Sequence, residues 1–114
     1  RDLSAAHKKI IDSIPYLSDC LDLDSPFTQL YLDVISCPDV DYEHKHHIVP
    51  AAYFERVLNV EARKYGKDMD ACNLVPLSKK SHTLAHFYLA QAINEKHKLV
   101  KDAALVVKRY VSFS

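Results

Sequence analysis

The 114-residue chain reads as a mostly helical α+β fold in a single domain, and three observations lead there. Apolar residues recur at helical spacing through most of the sequence, so helices dominate. Two short runs, 42–49 and 73–77, break that spacing and read as strands, each stopped or confined by proline (Pro50, Pro76). The length is enough for one modest hydrophobic core and too short for two.

Taken in order, a first helix is expected over 4–16, with Ser4 as its cap and Ile10, Ile11 and Ile14 as an apolar stripe that stops near Pro15. Ser25-Pro26 then opens a second helix, with a capping hydroxyl followed by proline at the first helical position. Phe27, Leu30, Tyr31, Val34 and Ile35 are assigned to its buried face, and Cys37-Pro38-Asp39 ends it, because proline cannot continue a helix and disfavours it in the residue before. These first forty residues read as helical scaffold. After the strand 42–49, the positions Tyr53, Phe54, Val57 and Leu58 return to helical spacing and predict a helical insert over 51–65, stopped by Gly66, the only glycine in the chain. The second strand, 73–77, follows. Ser78 is the predicted cap of a long helix to about 98 that packs through Leu84, Ala85, Leu89, Ala92 and Ile93. A last amphipathic helix, 99–111, is built on Val100, Ala103, Ala104, Val107 and Tyr110.

Composition narrows the setting. Cys20, Cys37 and Cys72 lack the short paired spacings of a disulfide framework or a structural zinc knuckle, so a reducing, cytoplasmic environment is expected. No apolar run reaches membrane-spanning length, and Arg1-Asp2-Leu3-Ser4 has neither a signal-peptide pattern nor an initiator Met, which fits a piece of a longer protein. Basic and acidic side chains balance at 15 each, but unevenly: residues 1–43 hold 3 basic and 9 acidic groups, net −6, and residues 44–114 hold 12 and 6, net +6. The basic half suits a polyanionic ligand, and ordinary solvated charge explains it equally well.

The chemistry-bearing residues sit in that basic half. His46 and His47 are adjacent in Asp41-Tyr-Glu-His-Lys-His-His-Ile-Val-Pro50; Asn73 opens the second strand; His82 and His86 follow on the long helix. Residues four apart project from one helical face, so His82 and His86 can grip one ion, and imidazole donors suit Zn, Ni, Mn or Co better than Ca. In an extended segment His46 and His47 point to opposite sides. One can join the ion while the other remains free to take a proton from water. The plain alternatives are a core-boundary pair on an amphipathic helix and a polar surface strand.

The run His46-His47-Ile48-Val49-Pro50, then Asn73-Leu74-Val75-Pro76-Leu77, then His82-x-x-x-His86 with Asn73 nine before His82, resembles the HNH endonucleases with their ββα-metal (His-Me finger) fold. The spacing of the last three elements is similar to that of the nuclease colicins, and the apolar flanks to phage and homing-type members. The resemblance covers residues 42 to about 90. It implies a ββα-metal unit embedded in flanking helices, and a metal-dependent hydrolysis of phosphodiester bonds, most often in double-stranded DNA, in a bacterial or phage setting. It further implies that His46, His82 and His86 bind one divalent ion (Mg, Mn, Ni or Zn), which stabilises the phosphate transition state and leaving group, and that His47 is the general base. Asn73 would hold the loop that presents His47, or, as in homing-type members, bind metal itself.

The chain departs from the family pattern in two places. Ala51-Ala52-Tyr53-Phe54-Glu55-Arg56 stands where a Gly-rich turn is usual, and the two Cys pairs of many relatives are absent. For substrate, Lys79 and Lys80 in the first turn of the metal-binding helix are expected to meet phosphate together with that turn's backbone N–H groups, joined by Lys45 and by Arg56, whose guanidinium can clamp a phosphate in two places. His44 is either a spare ligand or a solvent-facing strand residue, and His7 and His97 are assigned to the surface. Sequence-specific targeting would come from a further domain or from a homodimer. The competing readings are a catalytically inactive, metal-containing nucleic-acid-binding module and a purely structural metal site.

Overall fold

The computed structural model describes residues 3–59 and 72–105. Its elements run α1 (Ala5–Ser13), α2 (Leu17–Cys20), α3 (Pro26–Ile35), β1 (His44–His47), α4 (Ala51–Arg56), β2 (Leu74–Leu77), α5 (Lys79–Ala92), a 3₁₀ turn (Glu95–His97) and α6 (Lys98–Leu105). This is a mostly helical α+β fold with one small antiparallel two-stranded sheet.

Local chemistry sets the helix starts. Ser4 Oγ accepts from the His7 backbone N–H at 3.1 Å, Ser25 Oγ from Phe27 at 3.2 Å, and Ser78 Oγ from Ser81 at 3.2 Å, each filling a donor that the first turn leaves unpaired. Pro26 occupies the first helical position of α3 as its fixed φ allows. The single helix expected over 4–16 ends at Ser13, and Tyr16 turns left-handed (φ 70°) before the short α2. The strands are shorter than expected, four residues each, in the register His44↔Leu77, Lys45↔Pro76, His46↔Val75, His47↔Leu74.

Two further predicted helices end early. The insert helix stops at Arg56, with Val57 as its C-cap and Asn59 left-handed (φ 56°); its expected continuation over 60–65 and the stop at Gly66 lie outside the described residues. The long helix ends at Ala92 because Ile93 leaves helical backbone to bridge Leu21. Asp22 N–H donates to Ala92 O at 2.7 Å and Asn94 N–H to Cys20 O at 2.8 Å, so tertiary pairing replaces the next helical turn. Val107 and Tyr110 lie outside the described residues.

One hydrophobic cluster runs through the molecule. Leu17, Cys20, Leu21, Tyr31, Leu32, Val49, Leu77, Ala85, Leu89 and Ala92 are fully shielded from solvent within it. Two assignments to this core were wrong: Leu30 and Leu84 are exposed, at 41% and 39%. Thr28 on α3 and Ala90 on α5 are buried instead, because α3 and α5 pack against each other on faces rotated from those expected. Of this pair, α5 also packs against both strands of the sheet.

A histidine-lined candidate metal centre

Along β1, His44 is half-buried, Lys45 exposed, His46 buried and His47 exposed, the two-residue alternation of a strand. His44 and His46 face α5, where His82 (buried) and His86 (half-buried) stand one turn apart. Ring centroids lie 5.1 Å apart for His46–His82, 5.0 Å for His46–His86 and 4.7 Å for His82–His86. One ring nitrogen from each of His46, His82 and His86 falls within 4.8 Å of the others. His82 Nε2 and His86 Nε2 are 3.0 Å apart. The fold thus brings together the three histidines singled out from the sequence.

The electrostatics of the cluster favour neutral imidazoles. Burial, followed by the neighbouring His86, His82 and His47, holds the pKa of His46 well below 6.5. Burial and the nearby His44 and His47 lower that of His82 to about 4. Neutral rings offer lone pairs, the form a cation needs. His46 Nδ1 is buried and has no hydrogen-bond partner among the described residues, although a buried polar atom left unmatched costs about 1–3 kcal/mol. Three imidazole nitrogen donors, one of them an unmatched buried atom, fit a divalent transition metal.

His44 is neither solvent-facing nor one of the three clustered donors. Its Nδ1 lies 3.0 Å from His82 Nδ1, with ring centroids 5.0 Å apart, so it touches a candidate ligand from behind.

Asn73 is buried (1% exposed) immediately before β2. Its side-chain Oδ1 accepts from Val49 N–H at 2.8 Å, its Nδ2 donates to Val49 O at 3.1 Å, and its backbone O accepts from Ile48 N–H at 2.8 Å. The amide side chain thereby fastens Val49 through both its backbone groups, and the backbone carbonyl of the same residue fastens Ile48.

A residue missed in the sequence completes the inner wall. Tyr31 on α3 is fully buried; its hydroxyl donates to Ile48 O at 2.7 Å and lies 2.7 Å from His46 Nε2. Its place in an apolar stripe made it read as core packing. Only the packing of α3 against α5 brings it to a histidine 15 residues away.

The expected phosphate cradle at the start of α5 is corrected. Ser78 N–H donates to Asp39 Oδ2 at 2.7 Å and Lys79 N–H to Glu43 Oε1 at 3.0 Å, so carboxylates of the acidic half already hold donors at this end. The Ser78 backbone hydrogen bond in turn holds the Asp39 carboxyl below its usual range. The exposed side chains of Lys45, Lys79 and Lys80 remain on the strand and helix that carry the histidines. Arg56 is placed differently: it lines a cavity of about 390 Å³ with Lys96, His97 and Lys98, whose lining includes none of the clustered histidines.

His7 and His97 are not plain surface residues. Their side chains are only 13% and 11% exposed; His7 Nε2 meets Asp33 at 2.6 Å, and His97 Nε2 meets Asp19 at 2.9 Å. Asp19 also takes Lys96 at 2.8 Å and the Tyr53 hydroxyl at 2.7 Å, and these contacts, Lys96 foremost, hold its carboxyl far below the ordinary range. Among the described residues, no helix is long and apolar enough to cross a membrane. In comparison with known proteins, no family model, no curated protein and no solved structure matches this chain.

Proposed function

We propose that the protein is a metal-dependent endonuclease that hydrolyses phosphodiester bonds in double-stranded DNA, as the resemblance to HNH enzymes implies. The observation that carries this reading is the convergence of His46, His82 and His86, one ring nitrogen from each within 4.8 Å, beside an exposed His47 on the neighbouring position of the same strand. His47 is close enough that its charge lowers the proton affinity of both His46 and His82.

In this reading His46, His82 and His86 hold the ion. When bound, a divalent cation supplies positive charge against the phosphate oxygens and the departing 3′ oxygen. The exposed imidazole of His47 accepts the proton of the attacking water, the role for which histidine is best suited near neutral pH. Asn73 acts on geometry alone: by fastening Ile48 and Val49 it keeps the strand end, and with it His47, in place. Lys45, Lys79 and Lys80 hold the backbone phosphates by charge, an attraction that weakens with salt. Asp39 and Glu43 beside the start of α5 oppose close approach of phosphate to that helix end, so the lysine side chains rather than backbone N–H groups carry the contact.

The test is cleavage of supercoiled plasmid by EDTA-stripped protein resupplied with Mg, Mn, Ni, Co or Zn, with His47→Ala beside it. The expected result is metal-dependent nicking or linearisation that drops by about 10²–10⁴-fold in the variant, while metal affinity stays at the parent value. Cleavage by His47→Ala at the parent rate would remove the general base from this account. Retained metal and DNA binding with no cleavage in any metal would replace the nuclease with a binding module.

A further inference from the structure

Tyr31 Oη carries one hydrogen and makes two short contacts, 2.7 Å to Ile48 O and 2.7 Å to His46 Nε2. The carbonyl can only accept, so the hydroxyl hydrogen goes to Ile48. The second contact then requires the ring nitrogen to donate, and His46 carries its proton on Nε2. Its other nitrogen, Nδ1, is left with a lone pair in a buried position, without a hydrogen-bond partner among the described residues. The two rings meet edge-on, centroids 5.8 Å apart and planes at 76°, which holds the imidazole from the side of α3. Ile48 is also the residue whose N–H donates to Asn73 O, so the hydroxyl and the asparagine grip the end of β1 from two directions.

We infer that Tyr31 is a positioning residue for the metal centre: its hydroxyl fixes His46 in the Nε2–H tautomer and makes Nδ1 the ligand atom. The inference rests on reading the histidine cluster as a cation site. A histidine that ligates through one nitrogen needs its proton held on the other, and partners that do so commonly contribute 10–100-fold in metal affinity. Tyr31 comes from the N-terminal helical region, outside the stretch that resembles a nuclease motif, so the centre extends beyond residues 42–90 into the scaffold.

The measurement has two parts. In ¹⁵N-labelled, metal-free parent protein, long-range ¹H–¹⁵N correlations of the His46 ring are expected to show a protonated Nε2 and an unprotonated Nδ1, with Nδ1 the resonance that moves when Zn or Cd is added. Tyr31→Phe, which removes only the hydroxyl, is expected to lose the single tautomer and to bind Zn or Co about 10–100-fold more weakly in competition with a chromophoric chelator, with the helical circular dichroism retained. A protonated Nδ1 in the parent, a metal-induced shift at Nε2 instead, or an unchanged affinity in folded Tyr31→Phe would overturn the inference. If the variant does not fold, the parent spectra alone decide. A parent that binds metal through His46 Nδ1 but cleaves no DNA would overturn the nuclease reading and leave this one standing; a parent that binds none of these ions would overturn it.

Discussion

At the scale of single residues, the division of roles follows burial. His46 and His82 are withdrawn from solvent, and this lowers their proton affinity; His47, next in sequence, is exposed. An imidazole whose pKa is lower in the folded chain binds fewer protons there than in the unfolded chain between the two values, so acid favours unfolding in that interval. The contribution is fully present above about pH 6.5 and is lost as pH falls toward about 4 for His82, and further down for His46. The melting temperature of metal-free protein should therefore fall between pH 7 and 4, and His82→Gln should flatten that fall; a parent stable and flat over the interval would refute the burial argument. The histidines and Asn73 were legible in sequence because their spacing within strand and helix sets their faces. Tyr31, the contact of His44 with His82, and the burial of His7 and His97 were not, since each depends on a partner 15 or more residues away.

At the scale of elements, starts were easier to read than ends. Ser4, Ser25 and Ser78 cap as expected because a cap is settled within three residues of chain. The end of α5 is decided by Leu21, 72 positions upstream of Ile93, and no local signal announces it. The result is a helix fixed at both ends, by Asp39, Glu43 and Ser78 at its start and by the Leu21–Ile93 bridge at its finish. The segment leaving β1 is held by the Asn73 amide through both backbone groups of Val49. Asn73→Ala strands the buried N–H and C=O of Val49, each worth about 1–3 kcal/mol. A loss of at least about 2 kcal/mol in urea unfolding is expected, and, under the proposed reading, cleavage reduced beyond what the folded fraction explains. A variant of parent stability would mean that the two side-chain bonds contribute little.

At the scale of the whole molecule, a single core spans the helical N-terminal region and the histidine-bearing half. The charge asymmetry, read in sequence as an attraction for polyanions, is partly consumed inside the fold: Asp19 takes Lys96 and His97, and Asp39 and Glu43 cap α5. A core of this extent is expected to hold together without an ion. Under the proposed reading, chelation should leave the helical circular dichroism largely unchanged while abolishing cleavage, and a cooperative unfolding on EDTA addition would instead mark a structural site.

The three clustered histidines are shared between two stretches of chain, His46 before residue 59 and His82 and His86 after residue 72, and β2 and α5 must dock on β1 and α3 before they meet. A chain that ends before residue 82 carries one of the three, His46. Under the proposed reading, DNA-cutting capacity appears only once these elements have docked and brought the three rings together.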